Sequence, residues 1–418
     1  MSELFLSEDE VTKLDPWSIP LDEIDVSQPN LFKTNSHFAF FERLRKEAPV
    51  HYCKDSVFGP FWSITRFDDI MAVDKDHQNF SSIGGVSLGE RPGDFNTPNF
   101  ISLDPPGHDE QRMAVTGVVA PTNLASLESV IRQRAGKILD DLPVGETFNW
   151  VDRVSIELTT QMLATIFDFP FEDRRKLTYW SDLATSTVAT GGSMPEESRR
   201  EGLMECLDVF TQLRNERESW DPAEHNDLVT MMAHSPATKN MDPMEYLGNL
   251  ILLIVGGNDT TRNSISGGVL ALNQFPEQYN KLRANHGLIR NMIPEIIRWQ
   301  TPLSYMRRRC VNDTVVNGQT IKAGDKVAMW YCSGNRDDTV IENPDDFIID
   351  RKQPRHHLAF GFGIHRCMGN RLAEMQLRII WEEIMARFER VELVGEPVRV
   401  ASNFVKGYEE LPVVVHPV

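Results

Sequence analysis

Cys367 lies in the stretch HHLAFGFGIHRCMGNRLAEMQLRII (His356 to Ile380), framed by Gly361, Gly363 and Gly369, with Arg366 before it and a helical apolar pattern after it. A cysteine just ahead of a helix feels the positive end of the helix dipole and nearby amide donors, and both favour thiolate over thiol. Glycines around it let backbone approach a flat object closely. A thiolate that accepts hydrogen bonds is a soft metal ligand of tempered donation. One cysteine holds neither zinc nor an iron–sulfur cluster, which need several ligands. It can be the single axial ligand of a haem, where the porphyrin supplies the other ligands. The plain alternative is a small buried hydrophobe.

Three other groupings could do chemistry. GGNDTT (Gly256 to Thr261) sets two glycines ahead of an acid and an alcohol. Thr260 follows Gly256 by one helical turn, so its hydroxyl can bond that carbonyl and bend the helix. Room, a hydroxyl and the Asp259 carboxyl together make an oxygen pocket with a proton route, or else ordinary helix packing with a solvated acid. Glu295 and Arg298 share a helical face and can pair. His108 and Arg112, in LDPPGHDEQR (Leu103 to Arg112), also share a face. An arginine binds a carboxylate bidentately, so this pair suits either an acidic ligand or a surface ion pair.

These residues need elements to hold them. Helical spacing covers Leu124–Leu142, Val154–Phe167 and Ser198–Trp220, and a helix runs from Asp242 to about Gln274. Asp242 caps that helix, Pro243 suits its first turn, and Glu245 completes a capping box. Another helix follows Cys367 and ends near Phe388. VHYCK and GPFWSITRF form a hairpin turning near Phe58-Gly59-Pro60, and Cys310 to Tyr331 is β again, with turns at Asn317-Gly318 and Ala323-Gly324. Ser81 to Asn99 is a long loop. The fold class is mainly α with a minor β portion, in one unit over 1–418. Its β-rich parts lie near 48–68 and 306–332 and at the C-terminus.

Composition narrows the class of protein. The chain has 418 residues, 41% hydrophobic and 25% charged, as a globular enzyme does. The net charge of −18 with no basic tract argues against nucleic acid. No apolar run is long enough to span a bilayer; Leu250 to Gly257 is interrupted by Asn258 and Asp259. The start, MSELFLSEDEVTKLD, is acidic and lacks a signal pattern, so a cytoplasmic location is expected. Cys53, Cys206, Cys310, Cys332 and Cys367 are odd in number and show no CxxC pairing, against a disulfide framework or structural zinc.

FGFGIHRCMG (Phe360 to Gly369) resembles, element by element, the haem-ligand loop of the cytochrome P-450 family of haem-thiolate monooxygenases. The resemblance implies a triangular helical fold with small antiparallel β-sheets and haem b as cofactor. It makes Cys367 the axial iron ligand, places Phe360 and Gly361 beside the sulfur, and puts His365 on a haem propionate. GGNDTT is similar to the family's oxygen-activation motif. Thr260 then hydrogen-bonds the bound oxygen, Asp259 gates protons, and Gly256 and Gly257 border the haem. Glu295-Ile296-Ile297-Arg298 resembles the structural Glu-x-x-Arg helix, although Pro294 points to a shortened or kinked helix. The family often carries an arginine where this chain has Asp346, which leaves the third partner of that network open between Arg351 and Arg355. LDPPGHDEQR resembles the segment entering the haem-edge helix, so His108 and Arg112 go to propionates. Arg308, in the strand run Arg307-Arg308-Arg309, joins them.

The same resemblance implies one oxygen atom of O2 inserted into an unactivated C–H bond. With no Rossmann fingerprint or flavin or iron–sulfur module in the chain, electrons come from NAD(P)H through an external ferredoxin and ferredoxin reductase. Arg366, Arg371 and Arg378 are docking candidates, or simply solvated helix residues. Longer strings, such as GGNDTTRNSISGGVLALNQFPEQ, resemble the bacterial hydroxylases of medium-chain alkanes and fatty acids, which act at the terminal carbon. By family position Leu252, Val255, Gly256, Leu303, Phe404, Val405, Ile83 and Val86 line the substrate pocket, and none carries a charge. The competing readings are a monooxygenase of terpenes or sterols, a peroxide-driven enzyme or haem isomerase, and a haem protein without turnover.

Overall fold

The computed structural model describes residues 4–90, 93–187 and 194–418. It is 52% helical and 11% strand. The loop expected over Ser81 to Asn99 is irregular after Ser81, and Arg91 and Pro92 within it lie outside the described residues, as do Met1 to Glu3 at the acidic start.

One helix, Pro243–Gln274, runs for 32 residues through the molecule. It begins where the sequence expects, because the Asp242 side chain accepts the Met244 amide at 2.9 Å and Pro243 fills the first position. The capping box does not close. The Glu245 carboxylate instead accepts the Gln111 side-chain amide at 2.7 Å, tying the helix start to the helix Gly107–Thr116. Around the long helix pack Glu157–Phe167, Arg175–Thr185, Glu196–Arg217, Ile289–Gln300 and Asn370–Arg387. Most of its residues beyond Asn263 are buried, so its apolar stripe widens to nearly the full circumference there.

The helix Ile289–Gln300 contains Pro294 yet keeps 12 residues, so the proline neither ends nor shortens it. It buries Ile293, Ile296 and Ile297 in a core shared with Trp381 and Ile380 of the last long helix.

A five-stranded sheet stands to one side. Its order is Val50–Cys53, Phe61–Ile64, Lys326–Met329, Met306–Cys310, Phe80–Ser81. The expected all-antiparallel arrangement fails at one pairing: Phe61–Ile64 runs parallel to Lys326–Met329, because a long crossover rather than a hairpin joins them. Arg308 lies opposite Val327 in the antiparallel pair beside it. The Asn317-Gly318 turn joins Thr314–Val316 to Gln319–Ile321, with both turn residues at positive φ. Near the C-terminus, Pro412–Pro417 pairs with Phe388–Leu393 and Phe148–Asn149. Among the described residues no single helix is long and apolar enough to cross a membrane; the bent pair Gly107–Val119 and Pro121–Asp140 reaches that length and composition only together.

Candidate haem site

The cysteine loop is built from backbone. The Leu358 amide donates to Asn335 Oδ1 at 2.6 Å, the Gly361 amide to the Leu358 carbonyl at 2.8 Å, and the Cys367 amide to the Phe360 carbonyl at 2.8 Å. Gly361 and Gly363 sit at φ +66° and +67°, where side-chain-bearing residues are strained. A Cβ on Gly363 would also come within 2.4 Å of the Asp74 carbonyl oxygen. The helix Asn370–Arg387 starts three residues after the cysteine.

Cys367 opens onto a cavity, while the other four cysteines are buried. Burial among protein atoms raises its thiol above the usual value. The amides of Gly369 and Asn370 and the Arg112 and Arg366 guanidinium groups pull the other way. The helix-end amides therefore do favour thiolate, but among protein atoms alone the desolvation cost outweighs them, a balance that a bound cation would reverse.

The space in and before this cavity comes to about 1440 Å³, open solvent at its mouth included. Cys367, Phe360 and Gly361 line one part; Gly256, Gly257 and Thr260 of the long helix line another. Thr260 Oγ1 donates to the Gly256 carbonyl at 3.0 Å, the bond its spacing predicts. A Cβ on Gly256 would meet nothing within 4 Å. Asp259 is fully buried behind this face. Its Oδ2 accepts from Ser181 at 3.2 Å, and its Oδ1 lies 2.7 Å from Arg262, which also reaches Asp182 at 2.8 Å. Burial pushes the Asp259 carboxyl up to about 6 against the pull of Arg262.

Polar groups suited to carboxylates gather at the same cavity. Arg112, Arg308 and His365 line it. Arg112 donates to the Arg366 carbonyl at 2.7 Å. His365 is held neutral, its value pushed down to about 2 by burial and then by Arg308, His108 and Arg112. His108 is buried and does not itself line the cavity; its ring meets that of His365 at 4.3 Å between centroids. Among the described residues, the buried nitrogens His108 Nε2 and His365 Nδ1 have no hydrogen-bond partner. With the Ser82 hydroxyl donating to its Nε2, the His365 Nδ1 carries the N–H, and an orphaned buried donor calls for an acceptor such as a haem carboxylate. A sulfur facing the cavity, Arg112, Arg308 and His365 along it, and open space over Gly256 fit a haem that Cys367 would hold.

Glu295 and Arg298 are both fully buried and bonded twice, at 2.7 and 2.8 Å. Arg351 is the third partner, at 3.0 and 3.2 Å from Glu295, whereas Arg355 pairs with Glu374 at the surface. Asp346 contributes only its carbonyl, which accepts from Arg298.

Of the expected pocket residues, Leu252, Gly256, Leu303 and Val86 line the cavity and four others do not. The lining face of the long helix follows Leu252, Leu253, Gly256, Gly257 and Thr260, and Val255 points off it by helical period. Ile83 is 59% exposed. Phe404 packs on Tyr305, and Val405 is buried where its backbone bridges Leu303. Unanticipated walls come from Phe100, Ile101, Val118, Val119, Ile166 and Leu228. Val118 and Val119 directly follow the helix of Arg112, a signal the sequence offered. Among the docking candidates, Arg366 and Arg371 are exposed, but Arg378 is committed to Glu128 and Glu382.

Comparison with known proteins agrees with this geometry. The cytochrome P450 family profile matches residues 204–404. Linalool 8-monooxygenase of Pseudomonas putida is 35% identical over 94% of this chain and 99% of its own. Methyl-branched lipid omega-hydroxylase of Mycobacterium tuberculosis is 29% identical over 95% of this chain and 96% of its own. The solved structure of CYP153D17 from Sphingomonas sp. PAMC 26605 superposes with a TM-score of 0.89 at 47% identity, over 95% of this chain and all of that one. Similarity of this extent, along nearly the whole length and through the cysteine loop, establishes that the chain belongs to the cytochrome P450 family.

Proposed function

We propose that this monooxygenase hydroxylates the terminal carbon of medium-chain alkanes or fatty acids. In this reading residues 1–418 act as one catalytic domain in the cytoplasm, with electrons passed from NAD(P)H by a ferredoxin reductase and a ferredoxin. The observation that carries the reading is the cavity wall away from the cysteine loop. Val86, Val118, Leu228, Leu252 and Leu303 present hydrocarbon there, and the polar groups of the long helix at the cavity are the uncharged hydroxyls of Thr260, Thr261 and Ser264. Such a wall binds an alkyl chain by burial and sets no charge against it.

Haem, when bound, supplies oxygen activation at an iron whose thiolate ligand favours O–O cleavage. The protein's part is placement and proton control. Thr260 holds a hydroxyl at the cavity face of the long helix, and Gly256 leaves space in front of it. Asp259 stores a proton behind that face. Arg262 and half-exposed Asp182 link Asp259 toward the surface, so protons arrive through a guarded path rather than through bulk water. The apolar walls exclude water from the reacting carbon.

The omega-hydroxylase relative supports attack at a chain end. A second reading rests on the linalool relative, in which the substrate is a terpene. Reconstitution with spinach ferredoxin and its reductase decides between them. Octane should give 1-octanol and dodecanoate its ω-hydroxy acid; mainly 2-octanol, or turnover of linalool alone, would overturn the proposal.

A further inference from the structure

Asp74 lies at the end of the helix Phe67–Lys75, far in sequence from every motif, and is 3% exposed. A buried carboxylate is costly unless paired and fully hydrogen-bonded. Asp74 meets that demand with donors from three different segments. Oδ1 accepts from Arg308 Nη2 at 2.9 Å. Oδ2 accepts from the Tyr331 hydroxyl at 2.9 Å and from the Phe362 amide at 2.7 Å. Arg308, Tyr331 and Gly361 all line the cavity. The contact continues on either side: the Asp74 carbonyl occupies the place a Gly363 side chain would need, and Lys75 Nζ sits 4.8 Å over the Phe362 ring.

We propose that Asp74 is a positioning residue for the haem: one carboxylate fixes Arg308 at the cavity wall and pins the Phe362 amide in the loop that presents Cys367. This inference rests on the haem reading and is independent of which substrate the enzyme takes.

Two consequences separate it from simple packing. Arg308 gives one Nη2 N–H to Asp74 and one Nη1 N–H to the Arg307 carbonyl, so its remaining N–H groups are the ones available to a porphyrin carboxylate. Its orientation is therefore set from behind by Asp74. The Asp74–Arg308 pair is also neutral as a unit, so the haem feels less positive charge on this side than an isolated arginine would give. Removing the Asp74 charge exposes that positive charge to the iron and favours its reduced, less positive state.

The test is made on the purified holoenzyme. Asp74→Asn should shift the haem reduction potential positive and speed haem transfer to apomyoglobin on the order of tenfold, as expected for loss of one charged hydrogen bond. In an Arg308→Gln background the same substitution should speed haem transfer less than it does with Arg308 in place, because the bond that positions Arg308 is already gone. Asp74→Glu, which keeps the charge on a longer arm, should hold the wild-type potential while still transferring haem faster; it carries the test if Asp74→Asn takes up no haem. A wild-type potential in Asp74→Asn, or an equal acceleration of haem transfer in the presence and absence of Arg308, overturns the proposal. So does wild-type haem transfer in Asp74→Glu.

Discussion

Asp259 and Arg262 form a buried ion pair one helical turn apart, with Asp259 Oδ1 2.7 Å from Arg262 Nη2, and the same guanidinium nitrogen reaches Asp182 at the protein edge. The pair gives Asp259 an unusual titration. Burial lifts its carboxyl from 3.8 to about 6. Across that interval the folded chain holds a proton the unfolded chain has released. The Asp259 contribution to stability therefore falls as pH rises from 3.8 to about 6 and levels off above. Asp259→Asn cannot titrate. Its melting temperature should improve relative to wild type between about pH 4 and about pH 7. If Asp259 passes protons inward, wild-type turnover declines above about pH 6 as the protonated fraction drops. The variant should lack that limb and run about 100-fold slower. A turnover profile of unchanged shape in Asp259→Asn would contradict the relay.

Thr260→Ala removes the hydroxyl at the cavity face, whose one bond among the described residues is to the Gly256 carbonyl of its own helix. Haem content and the reduced CO spectrum should be unchanged. Hydroxylated product should fall by about tenfold or more while NADH consumption continues, the difference appearing as hydrogen peroxide. Product and peroxide assayed together check this; full coupling in the variant would remove Thr260 from proton handling.

The cysteine loop was legible because its constraints are local: two positive-φ glycines, a cysteine and a helix start within one short string. The Thr260–Gly256 bond and the Asp242 cap were equally local. What escaped was tertiary. Asp74 meets Arg308 across 234 residues, and no spacing rule joins them. Arg378 reads as a free cation in sequence, yet Glu128 approaches it from another helix. The pocket residues carried over from the family divided according to side-chain direction. Leu252 and Gly256 share the lining face of the helix, Val255 does not, and a loop residue such as Ile83 has no period from which direction can be read. Arg351 was one of two candidates for the Glu295 network because both lie in the same irregular segment.

Glu295 accepts from two arginines, Arg298 and Arg351, with no exposure of its own. Glu295→Ala would leave two guanidinium groups in the interior without a counter-charge, a cost of about 3–5 kcal/mol. Arg351→Met removes the outer partner only and keeps the Glu295–Arg298 pair, for about 1–3 kcal/mol. Urea unfolding followed by haem absorbance should rank them in that order, with Glu295→Ala yielding little holoprotein. Equal losses would mean that Arg351, not the inner pair, bears the load.

Adjacent glycines on the long helix should respond oppositely to the same methyl group. At Gly256 a new Cβ meets nothing within 4 Å and points into cavity space beside Thr260; at Gly257 it would lie 2.7 Å from Leu163 Cδ2. Gly256→Ala should therefore fold normally, gaining up to about 1 kcal/mol from helix propensity. It should also narrow the cavity over the reacting position, raising the share of 1-octanol among octanols and slowing bulkier substrates. Gly257→Ala should lose about 1–3 kcal/mol through overpacking against the helix that carries Leu163. Thermal unfolding separates the two on stability, and gas chromatography of octane products separates them on selectivity. A Gly256→Ala enzyme with wild-type product ratios would place the substrate chain elsewhere in the cavity.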